Sequence, residues 1–126
     1  MSKQSTNHVF MIEPKVFFAS PETMETNFYQ SEDATSRDEI LKLAIHEFRQ
    51  YRDALVGAGV SVTTMIGADD CPDHIFCDWL TTFPDRTMIL SPMATNSRRL
   101  ERKEWMIDVF RQSYDLIHDY RDKEKE

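Results

Sequence analysis

The sequence CPDHIFCDW at residues 71–79 opens the stretch that decides the fold of this chain, and TMIL at 87–90 and NSRRLER at 96–102 follow it. We interpret 71–79 as a strand with acidic residues at both ends, followed by a hairpin and a second strand over Thr87–Leu90. A basic loop then opens a helix. An acidic residue beside an aromatic one, with arginines on the next loop, suits a ligand that is cationic at one end and anionic at the other. An arginine-like amino acid fits that description.

The residues before this stretch predict a β-α-β unit. Residues 9–18 are β-branched and aromatic and form one strand with a break at Pro14, or an edge strand. A capping box at Ser36-Arg37-Asp38-Glu39 begins a helix, and apolar residues recur at helical spacing as far as Val56. A strand over Val60–Ile66 follows.

The residues after the stretch predict a second helix, from about Leu100 to Tyr120, because apolar residues recur there at steps of three and four. We expect the charged tail, residues 121–126, to fray. The fold class predicted from these elements is α/β, with two main helices and a small mixed sheet between them.

Length and composition restrict the classes of function. With 126 residues, 40% of them hydrophobic, the chain is a single domain with enough apolar residues for a core. A net charge of −7 argues against nucleic-acid binding, which requires clustered Lys and Arg. The sequence has no apolar run of the length that a membrane span needs and no signal peptide, so we expect a cytoplasmic protein that does not enter a membrane.

The two cysteines, Cys71 and Cys77, do not form a recognisable reactive or metal site. Their spacing around His74 fits no common zinc pattern, and adjacent residues on a strand point to opposite faces, which separates His74 from Asp73. We therefore predict no metal, no cofactor and no catalytic residue within this chain.

Two sets of motifs resemble those of one enzyme superfamily. Residues 71–102 contain, in order, Pro-Asp-x-x-Phe-x-Asp-Trp, Pro-Met and Arg-Arg-x-Glu-Arg, and residues 17–30 read FFASPETMETNFYQ. Their order resembles the N-terminal part of the guanidine-modifying amidinotransferase superfamily, and within it the bacterial amidinotransferase group related to dimethylarginine dimethylaminohydrolase and arginine deiminase. The resemblance covers Val9–Arg102. It implies part of a pentein-like α/β-propeller, with about one to two ββαβ modules in this chain.

The resemblance implies substrate-binding roles for five residues: Asp73, Asp78, Arg98, Arg99 and Asn27. The carboxylates would hold a guanidinium group, one of the arginines would contact an α-carboxylate, and Asn27 would hold the entrance loop. Each has a structural alternative: a solvent-facing strand edge for Asp78, loop capping for Asp73, an exposed basic loop for the arginines and turn chemistry for Asn27. The chain also has one residue fewer before Trp79 than the superfamily pattern.

Two functions remain open. In the superfamily, a Cys thiolate attacks the guanidinium carbon and a His assists release of the product, and both residues lie in later modules of the ring. The chain would then be the substrate-gripping N-terminal portion of a hydrolase of guanidino compounds, joined by a missing C-terminal half. Alternatively, it is a truncated, non-catalytic binding or assembly module that forms a homo-oligomer through the helix face bearing Trp105, Phe110 and Tyr114.

Overall fold

A computed structural model describes residues 5–24 and 36–125 as a small mixed α/β fold with two sheets, neither of them closed. In chain order the elements are β1 (His8–Glu13), α1 (Pro21–Met24), α2 (Arg37–Gly57), β2 (Ser61–Ile66), β3 (Leu80–Thr82), β4 (Thr87–Leu90), α3 (Asn96–Arg99), α4 (Glu104–Arg111), β5 (Leu116–Asp119) and a 3-10 helix (Arg121–Lys123).

The first sheet contains the predicted β-α-β unit. Strands β1 and β2 pair in parallel, with His8 opposite Ser61 and Glu13 opposite Ile66, and α2 connects them. The capping box is confirmed in part: the Ser36 hydroxyl accepts the backbone N–H of Glu39 at 3.3 Å and so satisfies a free amide of the first turn, whereas the Glu39 carboxylate accepts the Ser36 hydroxyl at 3.1 Å instead of the Ser36 amide. After α2, Gly59 adopts a left-handed φ of 88°, which allows the chain to reverse into β2.

The second sheet has the order β3-β4-β5 and confirms the predicted hairpin. Strand β3 is antiparallel to β4, with Leu80 opposite Leu90, whereas β4 and β5 are parallel and α4 lies between them in sequence. In the hairpin turn, Arg86 has a left-handed φ of 68°. Its side chain donates to the carboxylate of Asp115 at 3.0 Å, which joins the turn to the residues before β5.

The helix predicted over residues 100–120 is confirmed only for Glu104–Arg111: residues 100–103 precede α4, and the prediction is wrong beyond Arg111. Gln112 caps α4, and residues 116–119 form β5. The apolar spacing at Ile117 and Tyr120 fits a helix, but residues 116–119 supply the backbone partners that the edge of β4 requires, and pairing with that edge decides their conformation. The expected exposed face also differs: Trp105 is 52% exposed, whereas Phe110 is buried and Tyr114 packs against the core.

Two predicted strands are also absent from the described residues. Residues 71–78 run as consecutive turns, in which His74 N donates to Cys71 O and Phe76 N donates to Asp73 O. The strand begins only at Leu80. The pairing of β1 with β2 ends where the amide of Gly67 donates to Glu13 O. The residues after Pro14 therefore have no neighbouring strand to pair with among the described residues, and they form no strand.

One hydrophobic core joins the two sheets. Its buried members are Ile12, Trp79, Met88, Leu90, Met93, Met106, Ile107 and Phe110. The ring of Phe10 from β1 meets the ring of Phe110 from α4 edge to face, with centroids 4.8 Å apart. The first unit (β1, α2 and β2) and the second unit (β3, β4, α4 and β5) both contribute side chains to this core, which therefore fixes the loop that connects β2 to β3. No helix within the described ranges is long and apolar enough to cross a membrane.

Candidate functional site

Residues 71–78, which we call the acidic loop, precede β3. This loop and the short helix α3 meet at the side chain of Arg98. Its Nε and Nη2 donate to the two carboxylate oxygens of Glu101, at 2.9 and 3.2 Å. Its Nη1 donates to Asp78 Oδ2 at 3.0 Å, and its Nη2 also donates to the backbone carbonyl of Phe76. The loop and Glu101 thus bind a guanidinium group, here that of Arg98, through a bidentate pair and two further acceptors.

Burial controls the electrostatics of this cluster. Glu101 is 1% exposed. Burial raises the pKa of its carboxyl to about 7, an effect that Arg98 opposes and that the charges of Asp73 and Asp78 reinforce. Desolvation by itself would lower the pKa of Arg98, but its hydrogen bonds and charge pairing with Glu101 and Asp78 outweigh desolvation and raise it. The guanidinium therefore stays charged, and the proton-sensitive partner is Glu101.

The two aspartates expected at the site lie in different environments. Asp73 is buried, and its charge acts on Glu101, which places it close to the cluster. The Asp78 side chain is 67% exposed although it pairs with Arg98, so solvent and small ligands can reach its carboxylate. The strand expected over residues 71–78 is wrong, because these residues form turns, and the structure pairs Asp78 with Arg98.

The neighbouring arginine, Arg99, points to another part of the chain. Its Nε donates to Met93 O at 2.9 Å and its Nη2 donates to Lys125 O at 2.6 Å, while Glu124 lies 3.3 Å from Nε. Arg102 also pairs with Glu124. The tail that was expected to fray is therefore held by contacts at residues 124 and 125. Arg98 and Arg99 do not converge on one ligand position, and Asn27 lies outside the described residues.

Buried His74 and the two thiols show little capacity for acid-base or nucleophilic chemistry. Burial lowers the pKa of His74 to about 4, and its Nδ1 accepts the backbone N–H of Ala68 at 3.1 Å, so the ring is neutral near pH 7. Burial also raises the pKa of Cys71 and of Cys77 to about 12, which keeps both thiols protonated. Within the described ranges, no group of three or more His, Cys, Asp or Glu side chains is arranged to hold a metal ion.

Sequence reasoning missed the part that Glu101 plays at this site. Glu101 is not among the five residues to which the resemblance assigns a role, and it lies two residues after the end of α3 at Arg99. The available signal was its position three residues after Arg98, the spacing at which two side chains meet on one helical turn. Neither the spacing nor the composition shows that this pair is buried.

A family model described as "N,N dimethylarginine dimethylhydrolase, eukaryotic" matches residues 13–126. No curated protein and no solved structure matches the chain. The matched range contains the acidic loop, Arg98, Glu101 and the residues that hold the tail.

Proposed function

Because the chain belongs to the N,N-dimethylarginine dimethylhydrolase family, we propose that it forms the guanidinium-binding portion of a hydrolase that acts on guanidino compounds such as arginine and methylated arginines. The observation that carries this proposal is the guanidinium of Arg98, held by the carboxylates of Asp78 and Glu101 and the carbonyl of Phe76. Of these acceptors, the exposed carboxylate of Asp78 suits the planar N–H groups of a ligand guanidinium.

Each site residue has a distinct proposed role. Asp78, which is open to solvent, accepts N–H bonds from the ligand guanidinium, and buried Asp73 adds negative charge behind it. Glu101 fixes Arg98, whose guanidinium then faces the α-carboxylate of the ligand once Asp78 has turned to the ligand. Arg99 acts through its bond to the loop at Met93, and Asn27, which lies outside the described residues, keeps the proposed role of holding the entrance loop.

The reaction also needs a nucleophile, which we place outside residues 1–126. Both cysteines of this chain have pKa values near 12, so neither supplies the thiolate that attack on a guanidinium carbon requires. We propose that the β1-α2-β2 and β3-β4-α4-β5 units are parts of an α/β-propeller, and that further polypeptide supplies the reactive groups. The parallel β-α-β path that both units share supports this arrangement.

A non-catalytic assembly module is the second candidate function. Trp105 and Val109 lie one helical turn apart on α4 and are 52% and 44% exposed, which leaves an apolar strip on the outside of the molecule. A chain whose role is to associate through this strip would form oligomers without binding guanidino ligands.

The test is a calorimetric titration of the chain with L-arginine and with N,N-dimethylarginine. Asp78→Asn should weaken binding by about tenfold, because a charge-assisted acceptor is lost. Asp108→Asn is the matched control, since Asp108 is an exposed aspartate on α4 that pairs with Arg111. We expect the control to bind as the wild type does.

A citrulline assay completes the test. The chain alone should show no turnover. Turnover that disappears with Cys71→Ser or Cys77→Ser would contradict the placement of the nucleophile outside this chain. Absence of ligand binding, combined with oligomers that dissociate in Trp105→Glu, would favour the assembly module.

A further inference from the structure

An apolar groove runs between β1 and α2, and Ile75 of the loop before β3 also lines it. It encloses about 410 Å³, and its walls are the side chains of Phe10, Met11, Phe17, Leu43, Phe48 and Tyr51, among others. Among the described residues, Glu47 is the one charged residue that lines it. Leu43 and Tyr51 are 57% and 62% exposed, so this face of α2 is only partly covered by the described residues.

The two β-α-β units of the chain can be aligned with each other through their hydrogen bonds. The carbonyl of Glu13, at the end of β1, accepts from Gly67 N at 2.9 Å, and the carbonyl of Leu90, at the end of β4, accepts from Tyr120 N at 2.9 Å. Glu13 and Leu90 therefore occupy equivalent positions. The alignment pairs Met11-Ile12 with Met88-Ile89, so the units agree in sequence as well as in path.

In the second unit, β3 pairs with the edge of β4 that lies opposite β5, whereas the corresponding edge of β1, opposite β2, pairs with no strand among the described residues and its residues 10–12 line the groove. Trp79, which precedes β3, is fully buried in the cluster to which β4 contributes Leu90 and α4 contributes Ile107, and Leu80 packs against the same cluster. Backbone pairing holds this segment beside β4, since Ser91 N donates to Trp79 O at 2.9 Å. The first unit has no third strand among the described residues.

We propose that the groove between β1 and α2 binds an extended segment of a partner polypeptide, which presents an aromatic and an aliphatic side chain in succession, as Trp79 and Leu80 do in the second unit. The segment lies along α2 and covers Leu43 and Tyr51. A partner low in acidic residues is favoured over a second copy, because each copy carries a net charge of −7 and Glu47 lines the groove. This inference goes beyond the proposed function and uses none of the residues to which that function assigns a role.

The probe is a fluorescently labelled synthetic peptide with the sequence of residues 79–83 between flanking lysines, titrated with the intact chain and followed by anisotropy. Leu43→Glu should weaken binding by about tenfold or more, because it places an unpaired carboxylate against the buried peptide. Val56→Glu is the matched control: Val56 lies on the same helix and is 55% exposed, but it does not line the groove. We expect the control to bind within about twofold of wild type, as expected for a substitution away from the contact.

Three results would overturn the proposal. The first is failure of the wild-type chain to bind the peptide, and the second is equal weakening by Leu43→Glu and Val56→Glu. The third is a wild-type dimer that Leu43→Glu dissociates, which would show that a second copy occupies the groove. A peptide in which serines replace the tryptophan and the leucine should not bind, and binding by that peptide would also contradict the proposed recognition.

Discussion

At the scale of single residues, two buried groups at the candidate site respond to pH in opposite directions. The pKa of Glu101 is raised from 4.5 to about 7 by burial, so its contribution to stability is complete below about pH 4.5 and is lost as pH rises through 7. The pKa of His74 is lowered from 6.5 to about 4 by burial, so its contribution is complete above 6.5 and is lost as pH falls through 4. Between about pH 4.5 and 6.5 the two contributions change with opposite sign.

This opposition predicts different pH profiles for two variants. Glu101→Gln removes the stability that wild type gains when the Glu101 carboxyl is protonated. The free energy of unfolding of this variant should therefore fall relative to that of wild type as pH decreases from about 7 to 4.5, with a slope of at most about 1.4 kcal/mol per pH unit. His74→Asn should show the reverse, rising relative to wild type as pH decreases from about 6.5 to 4.5. Urea unfolding at several pH values measures both. Profiles parallel to that of wild type would mean that neither group is buried as described.

At the scale of elements, the start of α2 depends on one local contact. The Ser36 hydroxyl accepts the amide of Glu39 and donates to its carboxylate at 3.1 Å. Ser36→Ala should lower the free energy of unfolding by about 1 kcal/mol, since a first-turn amide loses its acceptor. Ser36→Asp keeps an acceptor and should remain close to wild type. Thermal or urea unfolding compares the three proteins, and equal loss in both variants would show that the cap does not stabilise the helix.

The elements that could be predicted from sequence are those whose signals are local. The capping box and apolar spacing of α2, and the turn between β3 and β4, depend on residues a few positions apart. Strand β5 could not be predicted, because its conformation depends on pairing with the edge of β4. Each residue of β5 pairs with a residue 29 positions earlier, from Thr87 with Leu116 to Leu90 with Asp119. The strand predicted over residues 71–78 is wrong because the backbone of this loop forms hydrogen bonds within itself, in turns. The amino-acid composition of the loop does not distinguish turns from a strand.

The same distinction applies to the candidate site. Asp78 and Arg98 were predicted to contact opposite ends of a ligand, and the structure instead pairs them with each other. Arg99, adjacent in sequence, was assigned the same role but is directed towards the tail. Which of two neighbouring arginines faces the loop depends on the rotation of α3 and on the position of Glu124, neither of which is encoded locally.

At the scale of the whole molecule, the tail links the end of the chain to the loop after β4. The carboxylate of Glu124 accepts the backbone N–H of Met93 at 3.1 Å and pairs with Arg102 and Arg99. The hydrogen bond from Arg102 is the main reason that the pKa of Glu124 is held below its usual range. Because the Arg102 side chain is only 8% exposed, loss of its partner would leave a nearly buried charge uncompensated.

Glu124→Ala should therefore destabilise the protein by about 3 kcal/mol, the cost of removing one partner of a buried ion pair. Asp122→Ala is the control, because Asp122 belongs to the same tail but is 67% exposed and pairs with Lys123, and its effect should stay within about 0.5 kcal/mol. Urea unfolding measures both changes. The amide of Met93 should also exchange faster with solvent in Glu124→Ala and not in the control, because the bond it donates is lost. Equal stability of the two variants would mean that the tail does not contribute to the fold.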